Sequence, residues 1–132
     1  MRRALPSLLS VPLLVAAGPE APGPEAVVQK QIEAFNAHDL EAFLAAFAED
    51  LEASDLPGGQ GPPAGKARQR ALYAERFRRN PDLRASVLDR IVSGPFVVQR
   101  ERISGRMGKA PLEALVVYQV EQGRIRRMWT LG

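Results

Sequence analysis

The stretch Pro111–Gly132, PLEALVVYQVEQGRIRRMWTLG, constrains this chain more than any other. It reads as two strands joined by a tight turn at Glu121-Gln122-Gly123. Leu112, Ala114, Leu115, Val116, Val117, Tyr118 and Val120 precede the turn, and Ile125, Met128, Trp129 and Leu131 follow it. A lone hairpin is marginal in water, so these strands belong to a larger sheet covered by other elements. Two registers are open. A two-residue turn at Gln122-Gly123 puts Val116, Tyr118 and Val120 on one face with Ile125, Arg127, Trp129 and Leu131. A bulge at Gly123 after a three-residue loop puts Val116 and Tyr118 on a face with Arg124, Arg126 and Met128. One residue of slip exchanges the faces.

The covering elements come earlier. Pro24 suits a first helical turn and Glu25 favours the positive end of the helix dipole. Val28, Ile32 and Phe35 follow at helical spacing. Asn36 is placed to end that helix in a left-handed conformation, and Asp39 to cap the next. Leu40, Phe43, Leu44 and Phe47 form the apolar side of the second helix. A short extended piece, Leu51–Asp55, leads to a loop over Pro57–Gly65, PGGQGPPAG. A third helix spans Lys66–Arg79. Its apolar side holds Ala67, Ala71, Leu72, Tyr73, Ala74 and Phe77, and its arginines form a solvated face. From Leu83 the period becomes two: strands over Ser86–Val92 and Phe96–Ile103 precede the hairpin. Helices grouped ahead of an antiparallel meander predict an α+β domain with the helices on one concave face.

The totals exclude several functions. With 132 residues, 45% hydrophobic and 25% charged, the chain suits one globular domain. The absence of Cys removes disulfides and thiolate chemistry, and a single His, His38, removes clustered-His zinc sites. No cofactor or metal is implied. Arginines alternate with acids, as in Gln99-Arg100-Glu101-Arg102, rather than gathering with aromatics as in nucleic-acid binders. No Gly-rich phosphate loop is present.

Residues 1–17, MRRALPSLLSVPLLVAA, have the layout of a secretory signal peptide: Arg2 and Arg3, an apolar run, then Val15-Ala16-Ala17. The run is too short to span a bilayer. Cleavage after Ala17 takes the net charge from +3 to +1. Residues 18–24 are a linker and 25–132 the domain. The expectation is a secreted or periplasmic protein with no membrane attachment after cleavage.

The pattern FNAHDLEAFLAAFAEDLEASDLPGG, then a helix with ALYAERF, then strands ending VYQVEQGRIRRMW, resembles the nuclear transport factor 2-like superfamily. The likeness is strongest to its SnoaL-like and ketosteroid-isomerase-like branch, and it covers residues 25–132. It implies a cone, a strongly curved, mostly antiparallel sheet wrapped around three helices with a pocket at one end. Many such proteins are homodimers through the outer sheet face. The superfamily includes isomerases, cyclases, hydrolases and binding proteins, so fold alone does not decide activity.

By this resemblance Asp55 matches the general base, a carboxylate that moves a proton between carbons when desolvation tunes it. As a residue beside Pro57-Gly58-Gly59 it also reads as a turn former. Ketosteroid isomerases place a tyrosine and a protonated aspartic acid against the enolate oxygen. Gln31 stands at the tyrosine position and Val116 at the aspartic acid position, which counts against steroid isomerisation. Tyr73 matches a supporting tyrosine and also reads as a core aromatic. Tyr118, Met128 and Trp129 are candidates for the pocket wall, and His38 reads as a solvated loop residue. The sequence therefore predicts an exported pocket protein for a small apolar or carbonyl-containing molecule. Its chemistry, if any, is metal-free proton transfer of the isomerase or cyclase kind by Asp55, with Gln31 and Tyr73 as polar partners. Two alternatives stand beside this: a non-catalytic binding or dimeric interaction domain, and a partner-binding protein using Arg100, Arg102, Arg124 and Arg126.

Overall fold

The computed structural model describes residues 21–57 and 61–132. The predicted leader, residues 1–17, lies outside them. In chain order the elements are α1 (Pro24–Asn36), α2 (Leu40–Ala45), β1 (Phe47–Leu56), α3 (Lys66–Arg79), β2 (Arg84–Ser93), β3 (Phe96–Ser104), β4 (Leu112–Glu121) and β5 (Arg124–Leu131). The strands form one open sheet in the order β1-β5-β4-β3-β2. Only β1 and β5 run parallel. The domain is α+β, with the three helices against one face of a mixed sheet.

Helix α1 buries Val27, Val28, Gln31, Ile32, Ala34 and Phe35. Its end differs from the expectation. Asn36 is still helical, and the left-handed residue is His38, at φ 53°. The Asn36 side chain is instead occupied with strand β2: its Nδ2 donates to the Ala85 carbonyl (3.0 Å) and its Oδ1 accepts from the Ala85 N–H (2.8 Å). His38 is not a solvated loop residue either. Its ring stacks on Phe77 at 4.7 Å and its Nε2–H donates to the Leu83 carbonyl at 2.8 Å. Both residues bolt the α1–α2 bend to the start of β2. Asp39 caps α2 through Ala42 N–H, as its position predicts.

Helix α2 stops before Phe47, so that residue begins β1 rather than ending a helical face. Strand β1 is longer than the sequence suggests because its first half, Phe47-Ala48-Glu49-Asp50, is poor in strand formers. Pairing with β5 holds it: Phe47 lies opposite Ile125, and Ile125 N–H donates to the Ala46 carbonyl. Helix α3 contacts the core through Tyr73 and Phe77, while Ala67, Ala71, Leu72 and Ala74 are exposed. An aromatic cluster joins the helices, with Phe35–Phe77 at 5.5 Å, Phe43–Tyr73 at 4.5 Å and Phe43–Phe47 at 5.0 Å.

Each hairpin register turns out to hold over part of the hairpin. At the turn Glu121 opposes Arg124 and Val120 opposes Ile125, around Gln122 and Gly123 at φ 51° and 75°. Positive φ at both central residues is the I′ geometry that matches strand twist. Gln119 then opposes Arg127, which makes Arg126 an extra residue. Beyond that bulge Tyr118 opposes Met128, Val117 opposes Trp129 and Val116 opposes Thr130.

A non-Gly residue at left-handed φ costs roughly 1–2 kcal/mol, less for Asn. Gln122→Asn is therefore expected to raise stability by about 0.5–1 kcal/mol, read as a higher urea midpoint. An unchanged or lowered midpoint contradicts the turn assignment.

Candidate functional site

The concave sheet face and helices α1 and α3 enclose a cavity of about 950 Å³. Its position follows from strand alternation. On β4, Ala114, Val116, Tyr118 and Val120 are buried and share the inner face. On β3 that face carries Val97, Gln99, Glu101 and Ile103. Ile32, Phe35, Ala114, Val116 and Met128 supply apolar wall.

Within this wall stands one buried acid. Glu101 is 5% exposed. Its Oε2 accepts from the Tyr118 hydroxyl at 2.6 Å and from Gln99 Nε2 at 3.0 Å. Gln99 Oε1 accepts from Arg90 Nε at 2.6 Å, and Arg90 also donates to Gln29 Oε1 at 2.7 Å. Burial raises the Glu101 carboxyl above its ordinary value of 4.5, against the opposing pull of Tyr118, Gln99 and the Arg90 charge. The Tyr118 hydroxyl is pushed well above its ordinary value by burial, and further by the Glu101 charge and hydrogen bond, so it stays a donor. Both protein bonds fall on Oε2; among the described residues Oε1 accepts none and is left to the cavity.

Three other polar groups join it. Gln31 and Gln69 are each 5% exposed, line the cavity, and have an Oε1 with no donor among the described residues. A buried acceptor without a donor is costly, of order 1–3 kcal/mol, so both amides are disposed to take hydroxyls from a bound molecule. The Tyr73 hydroxyl also lies here. Burial raises its pKa, the Arg76 guanidinium 4.9 Å from the ring centre opposes the rise, and the charges of Glu101 and Asp55 add to it. Tyr73 thus feels both carboxylates.

Of the residues singled out in the sequence, Gln31, Tyr73, Val116 and Tyr118 line the cavity. Asp55 does too, on the same face of β1 as Leu51 and Ala53, but it is exposed and stands at the mouth. Trp129 is a correction. The extra residue at Arg126 turns it to the outer face opposite Val117, while Met128 and Thr130 take the inner one. Glu101 was missed because its neighbours Arg100 and Arg102 make it look like surface charge. The available signal was parity: it shares a face with Val97 and Ile103. Gln69 was missed because polar residues on an arginine-rich helix read as solvated.

A carboxyl raised by burial holds a proton that the unfolded chain has lost. Its contribution to stability is full below pH 4.5 and declines as pH rises through the folded value. Glu101→Gln removes that contribution. The melting temperature of the wild type minus that of Glu101→Gln is expected to fall as pH rises above 4.5 and to level off once the folded carboxyl is ionised. A flat or rising difference in thermal unfolding contradicts the assignment.

The chain matches the SnoaL-like domain over residues 28–128. Among solved structures, an uncharacterised cystatin-fold protein from Novosphingobium aromaticivorans superposes with a TM-score of 0.74 at 22% identity, covering 84% of this chain and 99% of the other. A nuclear transport factor 2-like protein of unknown function from Cytophaga hutchinsonii gives 0.69 at 18% identity, covering 86% and 92%. A SnoaL-like polyketide cyclase from Agrobacterium tumefaciens gives 0.68 at 17% identity, covering 83% and 90%. No curated protein matches the sequence. The fold is nuclear transport factor 2-like.

Proposed function

The chain belongs to the SnoaL-like domain family, and we propose that its cavity binds an apolar, carbonyl-containing molecule and moves a proton on it without a metal. The observation that supports this most is Glu101, a buried carboxyl with a raised pKa and a free oxygen facing the cavity. Two carboxylates in different surroundings divide acid and base work. Asp55, exposed at the mouth, takes the proton from the carbon beside the carbonyl. Protonated Glu101 donates to the carbonyl oxygen as it gains charge, with Tyr73 as a second donor. Val116 plays no polar part, so steroid isomerisation in its usual form is disfavoured.

A second reading, non-catalytic binding, is favoured by the exposure of Asp55, since a solvated carboxylate lacks the desolvation that strengthens a base. The same proposal carries an exported homodimer. Its copies meet on the outer sheet face, where Ile91, Phe96 and Leu115 are exposed. Sedimentation of the domain and N-terminal sequencing of the exported chain test those two points. Among the described residues no helix is long and apolar enough to cross a membrane.

Proton transfer is tested by deuterium incorporation from heavy water into aromatic 1,3-dicarbonyl compounds, followed by NMR. Wild type is expected to accelerate exchange, Asp55→Asn to lose about 10²–10⁴-fold and Glu101→Gln to lose a smaller factor of about 10–10². Binding of these compounds with no acceleration selects the non-catalytic reading; full activity in Asp55→Asn removes that residue from the role of base.

A further inference from the structure

The mouth of the cavity carries a charge pattern that its depth does not. Arg68, Arg76 and Arg79 from α3, with Arg106 and Lys109 from the loop between β3 and β4, line the opening. Two acids stand with them, Asp55 and Glu75. Glu75 is already held by Arg78 at 2.6 Å and Arg79 at 2.5 Å. The arginines of α3 are all exposed, as the sequence predicts, but they divide into two sets. Arg70 and Arg78 are spent on Glu41 and Glu75, while Arg68 and Arg76 line the opening.

The free capacity there is for an acceptor. Among the described residues Arg68, Arg76, Arg106 and Lys109 make no ion pair. Arg106 spends its Nη2 on the Ala110 carbonyl at 2.7 Å. Its Nε–H is buried and meets no acceptor among the described residues. A buried donor in that state is costly, and a guanidinium fork is matched by the two oxygens of a carboxylate. Cations around the opening of a low-dielectric cavity also concentrate anions at its entrance.

We propose that the ligand of this cavity is an amphipathic carboxylate: an apolar body in the pocket and an anionic end at the mouth, bound by Arg106 and attracted there by the field of Arg68, Arg76 and Lys109. This rests on the cavity being a ligand site. It narrows the substrate class from carbonyl compounds in general to those carrying a free acid.

The test compares decanoate with decanamide, its neutral counterpart of nearly equal shape, by isothermal titration calorimetry on the full chain at low ionic strength. Decanoate is expected to bind about tenfold or more tightly than decanamide, and the margin to shrink in high salt. In the Arg68→Gln/Lys109→Gln variant, decanamide affinity stays as in wild type and the margin falls to about threefold or less. Arg106→Gln is expected to narrow it as well. Equal affinities for the two probes overturn the inference and leave the cavity reading standing. So does an unchanged margin in the double variant. Binding of neither probe overturns the cavity reading and the inference together.

Discussion

Side chains on a strand alternate between faces, so one extra residue inverts everything beyond it. In β5 that residue is Arg126. Before it, Ile125 points inward with Val120; after it, Met128 and Thr130 point inward and Trp129 points out. Without the bulge, Trp129 would stand in the cavity and Met128 on the surface. The bulge thus decides both how much room the cavity has and what the outer face offers. Its residue is held at the surface by Asp50 and Glu121, at 3.1 and 3.0 Å. Exposed pairs of this kind add little stability; the apolar pairing on either side fixes the register.

A second constraint is the desolvation of Glu101. Burying a carboxyl is unfavourable unless its lone pairs are met. Here Tyr118 and Gln99 meet one oxygen, and Arg90 supports Gln99 from behind. The other oxygen is left to the cavity. A core that needed only stability would place an apolar residue at this point. The chain instead builds a three-strand chain of hydrogen bonds from Arg90 on β2 to Tyr118 on β4 around one acid.

The fold was legible because its signals are local. Helical spacing in Val28, Ile32 and Phe35, the cap at Asp39 and the alternation of β4 each report a nearby environment. Helix α3 runs over the predicted residues, Lys66–Arg79. What failed depends on distant partners. Strand β1 is held by β5, more than seventy residues on, so its Ala, Glu and Asp gave no strand signal. His38 is ordered by Phe77 and Leu83 rather than by its neighbours. The same holds at the site. Gln31, Tyr73, Val116 and Tyr118 were reached through family likeness and alternation. Glu101 was hidden by the arginines beside it, and Trp129 was misplaced by a bulge that no glycine or proline announces.

Glu101 is the group on which the cavity's chemistry turns, an acid whose burial keeps its proton to higher pH than surface carboxyls keep theirs. The most direct measurement is a ¹³C NMR pH titration of glutamate side-chain carboxyls, with Glu101→Gln to assign the resonance and Tyr118→Phe to perturb it. The Glu101 midpoint is expected above 4.5, and higher still in Tyr118→Phe, where the carboxylate loses a donor. A midpoint at or below 4.5, or one that Tyr118→Phe leaves in place, would contradict this.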